Sequence, residues 1–73
     1  MKKEVVSYTR LGLNIRTRRL SCSLTQAELA KMAGCSPSTV SKLERSVCAV
    51  SVMLLFRLAN VLKCRVYELV DGV

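Results

Sequence analysis

The chain has 73 residues, 51% of them hydrophobic, with one proline and three glycines; this composition describes one small folded domain near the lower limit for a self-sufficient core, with no room expected for a second, ligand-sensing domain. Its formal charge is +7, from 12 Lys+Arg against 5 Asp+Glu, and it contains no histidine. With no histidine, scattered acids and no thiol beside an obvious base, an enzyme is the least expected class.

A basic lead-in is read over residues 1–7 and the folded domain over residues 8–71. Ser7 is placed to cap a first helix running to about Leu20, with Leu11 and Ile15 one turn apart on a single face. One further turn brings that face to Arg19, a charge where an apolar side chain is expected. After a short connection at 21–24, Thr25 opens a second helix with a capping box. Its hydroxyl accepts from the Glu28 amide while the Glu28 side chain reaches back to Thr25. Leu29, Ala30 and Ala33 point inward, the alanines permitting close helix approach. Gly34 ends the helix in the left-handed conformation that glycine adopts without steric cost. Ser36 caps a third helix with Pro37 at its first position, where no amide is needed, and Val40 and Leu43 supply the inner face. The following loop, residues 46–50, is unusually apolar. Ser51 caps a fourth helix whose buried stripe is read as Val52, Leu55, Leu58, Ala59 and Leu62. Residues 63–65 turn, and residues 66–70 make a short fifth helix ended by Asp71 and Gly72. The class is all-α. Within it, residues 26–45 form two short helices joined by one tight turn, the geometry that sets one helix in a DNA major groove while the other braces it.

Positive charge gathers on the half that carries this unit. Residues 1–45 hold nine basic residues (Lys2, Lys3, Arg10, Arg16, Arg18, Arg19, Lys31, Lys42, Arg45) against Glu4, Glu28 and Glu44, a balance of +6, and the remainder adds +1. That bias suits a polyanionic partner; a merely soluble basic surface would explain the total less easily than its distribution. Cys22, Cys35, Cys48 and Cys64 make no closely spaced pair, so no zinc site and no cofactor are expected. The thiols are expected to stay reduced in a cytoplasmic protein. Ser7, Thr9 and Arg10 interrupt the apolar stretch that a signal peptide requires, and residues 47–56 are too short to span a membrane.

Leu11-Gly12, Ile15-Arg16, Arg19, Leu24-Thr25-Gln26, Glu28-Leu29-Ala30, Ala33-Gly34, Ser36, Ser38-Thr39-Val40-Ser41, Leu43-Glu44-Arg45, Leu58-Ala59 and Glu68-Leu69 occur in that order. Through this ordered set the chain resembles the Cro/cI-type (XRE-like) helix-turn-helix family of phage and bacterial repressors. The resemblance implies a compact five-helix lambda-repressor-like domain that binds double-stranded DNA. It implies a partly buried ion pair between Arg19 and Glu44 that ties helix 1 to the end of helix 3; the rival assignment for Arg19 is a phosphate contact. Gln26 is expected to bond a DNA phosphate with help from the helix N-terminus. Ser36, Pro37, Ser38, Thr39 and Lys42 are expected at the groove side of helix 3, the Thr39 methyl against a thymine methyl and Lys42 as the main base reader. Arg16, Ser41 and Arg45 are second-rank candidates for backbone contacts, and a solvated helix surface is the alternative for each. Ser46 and Lys63 stand where the family favours glycine, and Val50 where it favours proline, which leaves the path of loop 46–50 open.

Val47, Cys48, Val50, Met53 and Leu54 exceed what the stripe of helix 4 needs. They are either loop packing on that helix or a dimer surface, with Arg65, Val66 and the rest of the fifth helix as the other candidate. Members of the family usually bind near-palindromic sites as dimers, two recognition helices about 34 Å apart. The leading expectation is therefore a sequence-specific transcriptional regulator, a repressor acting as a homodimer on a near-palindromic operator. The alternative is an antitoxin-type module that masks a protein partner and also represses its own operon. RNA binding is disfavoured because no exposed aromatic platform is visible.

Overall fold

Short polar side chains start three of the helices. Thr25 Oγ1 accepts from the Glu28 amide at 3.0 Å, and the Glu28 carboxylate accepts from the Thr25 amide at 2.8 Å. Ser36 and Ser51 each accept from the amide three residues on, both at 3.1 Å. In a computed structural model that describes residues 8–71, these caps open α2 (Gln26–Ala33), α3 (Pro37–Glu44) and α4 (Val52–Val61). They are preceded by α1 (Tyr8–Ser21) and followed by α5 (Val66–Leu69). The lead-in, the proposed cap Ser7 and Gly72 lie outside the described residues. Among the described residues no helix is long and apolar enough to cross a membrane.

Leu11 and Ile15 of α1, Leu29, Ala30 and Ala33 of α2, Val40 and Leu43 of α3, Leu58 and Ala59 of α4, Leu62 and Leu69 form one buried core. The buried stripe of α4 starts later than its sequence spacing suggests: Leu55 is half-buried and Val52 is 68% exposed. Helical side chains lean toward the N-terminus, so Val52, at the first position of α4, extends past the helix end instead of onto the core. All four cysteines are free and half-buried. Cys22 Sγ donates to the Leu62 carbonyl at 3.6 Å. Burial pushes the thiols of Cys35 and Cys64 up from their ordinary pKa, which keeps them protonated as small apolar side chains. The short α5 is tied down by polar contacts from α1. Asn14 Nδ2 donates to the carbonyls of Leu69 and Asp71 at 2.8 and 2.9 Å, and Arg18 meets Glu68 at 2.9 Å. The Arg65 amide, first, and Arg18 hold the Glu68 carboxyl below the usual carboxylate range.

The first four helices all stop in the same way. At Ser23, Gly34, Ser46 and Lys63 the backbone turns left-handed, with φ of 58, 77, 64 and 57°. Each of these amides reaches back three residues, to Leu20, Lys31, Leu43 and Asn60, and each following amide reaches back five, to Arg19, Ala30, Lys42 and Ala59. This is the Schellman closure. Glycine supplies it at one end only; the other three carry a side chain in a conformation that costs an L-residue about 1–2 kcal/mol. Lys63 is exposed, so its replacement isolates that term. Glycine's extra freedom in the unfolded chain offsets part of the gain, leaving Lys63→Gly more stable by about 0.5–1 kcal/mol. A thermal melt followed by circular dichroism should show Tm raised by about 2–8 °C. An unchanged or lower Tm contradicts the assignment of strain.

Candidate nucleic-acid interface

The position of α3 is set by its contact with α1. A Cβ built on Gly12 would stand 2.7 Å from the carbonyl oxygens of Leu43 and Glu44 and 2.8 Å from Ser46 Oγ. Only a residue without a side chain lets α1 approach the last turn of α3 so closely. An isolated glycine inside a helical pattern costs about 1 kcal/mol relative to alanine, and that apparent waste is the sequence signal for such a contact.

Two turns along α1, Arg19 meets the end of α3. Its Nε donates to Glu44 Oε2 at 2.6 Å, its Nη2 to Glu44 Oε1 at 3.1 Å, and its Nη1 to the Leu24 carbonyl at 2.8 Å. The two side chains are 9% and 2% exposed. The fork of Arg19 is thus spent on α3 and on the α1–α2 connection, which leaves it poorly placed to reach a phosphate. The hydrogen bonds that Arg19 donates to Glu44 raise the guanidinium pKa against the opposing effect of burial. Gln26 joins the same carboxylate, its Nε2 donating to Glu44 Oε1 at 3.1 Å. Sequence spacing carries no sign of this third partner. One acid therefore ties the last turn of α1, the first residue of α2 and the end of α3 together.

With Val40 and Leu43 turned inward, α3 presents Pro37, Ser38, Lys42 and its cap residue Arg45 to solvent. Ser36 is exposed and occupied in capping. The half-buried Thr39 shares a 2.9 Å hydrogen bond with the Ser36 hydroxyl, which orients its side chain. Arg45 Nε donates to Ser41 Oγ at 3.3 Å, bracing the guanidinium along the helix. Arg16 is exposed on α1. The surface set aside for a dimer is redrawn: Cys48, Val50, Leu54 and Val66 pack partly buried against the core, whereas Val47 and Met53 remain exposed, together with Val52 and Phe56. The loop folds its alternate residues inward because Ser46 turns the chain back over the end of α3.

The family profile described as helix-turn-helix matches residues 15–69, from the middle of α1 to the end of α5. The chain belongs to the Cro/cI-type helix-turn-helix family. Solved structures of this lambda-repressor-like fold superpose closely. The P22 c2 repressor in complex with a synthetic operator is 35% identical with a TM-score of 0.80, covering 86% of this chain and 96% of that one. The restriction-modification controller protein C.AhdI from Aeromonas hydrophila is 31% identical with a TM-score of 0.82, covering 85% and 90%. SinR, a master regulator for biofilm formation solved in complex with DNA, is 31% identical with a TM-score of 0.80, covering 84% and 98%. No match is found among curated proteins. In the helix-turn-helix of this chain, α2 and α3 are the two helices of the motif and Gly34 is its turn.

Proposed function

We propose that the chain is a sequence-specific double-stranded DNA-binding transcriptional regulator, a cytoplasmic repressor that occupies a near-palindromic operator as a homodimer. The observation that carries this reading is the exposed row Ser38, Lys42 and Arg45 on an α3 whose inner face is buried and whose end is clamped by Glu44. A recognition helix has to be rigid before it meets DNA, because base readout depends on placing a few atoms within hydrogen-bond distance. Lys42 reads a base edge, with guanine O6 and N7 as acceptors. Ser38 offers a short hydroxyl beside it. With the Thr39 hydroxyl turned to Ser36, its methyl is the group left for a thymine methyl. Gln26 has a second amide hydrogen beyond the one given to Glu44, and it stands at the positive end of α2, where a phosphate is stabilised. Arg16 and the Ser41-braced Arg45 supply further backbone contacts, and these position the protein without reading sequence.

The test is selection of bound duplexes from a random library, repeated with Lys42→Ala. The wild type should enrich one two-fold motif, and the variant should relax preference at one position of each half-site, weakening the best duplex by about 1–3 kcal/mol. Uniform weakening across all sequences, with the salt slope reduced by about one, would demote Lys42 to a phosphate contact. No enrichment by the wild type removes sequence specificity altogether.

A further inference from the structure

We propose that Cys22 and Cys64 are a redox-responsive pair that closes to a disulfide under an oxidising thiol–disulfide pool and staples the end of α1 to the α4–α5 turn. The Cys22 amide still bonds the Arg18 carbonyl at 3.0 Å, so Arg18 and Cys22 stand one turn apart on one face of α1. Both reach the same opposing segment. Cys22 Sγ donates to the Leu62 carbonyl at 3.6 Å, and Arg18 meets Glu68 at 2.9 Å. Cys64 lies in the chain between those two contacts. Its amide bonds the Ala59 carbonyl at 3.0 Å, which folds residue 64 back toward the core. Its thiol lies within the electrostatic reach of Arg18, Glu68 and Cys22 together, so it faces this seam.

The other two cysteines stand apart from the seam. The Cys35 thiol, in the α2–α3 turn, lies by Arg57 of α4, and Cys48 belongs to the loop that follows α3. All four are free, and Cys22 and Cys64 are both half-buried. A cleft of about 260 Å³ between α4 and α5 has Cys64 in its wall with Phe56, Ala59, Asn60, Arg65 and Val66, which gives a small oxidant a way in. Closure gives up the hydrogen bond from Cys22 to Leu62, and a thiol is a weak donor, so that loss is small.

The oxidant is a low-molecular-weight disulfide such as glutathione disulfide. One thiol of the pair loses its proton to solvent, and the thiolate attacks a sulfur of the oxidant. A mixed disulfide forms and one glutathione thiolate leaves. The second thiol, deprotonated in turn, attacks the protein sulfur of that mixed disulfide and expels the other glutathione. The pair is oxidised by two electrons, the oxidant is reduced to two thiols, and these take up the two protons. Burial keeps the Cys64 thiol protonated, so closure runs over minutes to hours. Residues 22 and 64 are far apart along the chain, and joining them removes conformational freedom from the unfolded state. Neither residue belongs to α2 or α3, so the closed form keeps its reading helix in place.

The test incubates the full chain with excess glutathione disulfide, alkylates the remaining thiols and digests the product with trypsin, which leaves the four cysteines in four different peptides. The expected product has lost two hydrogens, retains two alkylatable thiols and links the peptide of residues 20–31 to that of residues 64–65. Cys35→Ser/Cys48→Ser should close as the wild type does, and Cys22→Ser should form no internal bond. The closed form should melt at least about 8 °C above the reduced form, revert with dithiothreitol, and bind duplex DNA with unchanged affinity. Mixed disulfides alone, or a link through Cys35 or Cys48, overturn the pairing. A closed form that melts no higher than the reduced one overturns the staple, and one that no longer binds duplex DNA overturns the independence of α3.

Discussion

Glu44→Ala is expected to lower the unfolding free energy by about 3–5 kcal/mol, because it leaves the Arg19 guanidinium buried without its counter-charge. Arg19 makes two of its three hydrogen bonds to that carboxylate, and its side chain is 9% exposed, so water cannot readily replace what is lost. A domain of this length has a total stability of roughly 4–11 kcal/mol. The variant thus loses from about a quarter to all of that stability. Urea titration followed by circular dichroism measures this directly. A loss below about 1 kcal/mol would mean that the pair behaves as a solvent-screened surface bridge.

Removing both charges should do much less harm. In Arg19→Met/Glu44→Leu no charge is stranded, and the desolvation that the ion pair had to overcome disappears. The double variant is expected to recover most of the stability lost by Glu44→Ala. Gln26 then loses its acceptor, but it is only half-buried and can hydrogen-bond water. DNA binding should not recover in parallel, because Gln26 and the end of α3 are no longer held by a common partner. Separating the two readouts distinguishes a pair that supplies stability from one that supplies geometry.

What could be read in the chain beforehand follows from distance along it. Thr25 with Glu28, Ser36 with Pro37, and Ser51 sit three or fewer residues from the groups they satisfy, so spacing alone predicts the starts of α2, α3 and α4. The inner face of α3 was equally legible from Val40 and Leu43, and its outer row follows as the complement. Arg19 and Glu44 are 25 residues apart, and no local rule joins them; their pairing came only through family resemblance. The Gln26–Glu44 bond joins residues 18 apart, and no local spacing rule connects them. Val52 fits an inward helical stripe by spacing, yet its place at the helix end turns it outward. The left-handed backbone at Ser23, Ser46 and Lys63 was not legible for a different reason. Their left-handed turns are imposed by the closure of the chain on itself against the preference of the residue, so residue identity alone does not announce them.

Gly12→Ala should destabilise the domain, which is the reverse of the usual outcome for this change in a helix. Alanine is favoured over glycine in a helix interior by about 1 kcal/mol. Here the added methyl would lie 2.7 Å from two backbone carbonyl oxygens at the end of α3, and neither belongs to a side chain that can swing aside. Overpacking of a fitted contact costs about 1–3 kcal/mol, with rigid backbone at the upper end, so the net loss is about 2 kcal/mol. The sign of the change is the test: a gain in stability on Gly12→Ala would show that α1 and α3 do not approach as closely as the geometry states. Function should suffer more than stability. To relieve the contact α1 and α3 must move apart, and that motion stretches the Arg19–Glu44 bridge and turns the exposed row of α3 away from its set position. Affinity for the selected duplex, measured where the variant is still fully folded, should therefore fall while nonspecific binding at low salt is retained, since phosphate attraction tolerates a displacement that base readout does not.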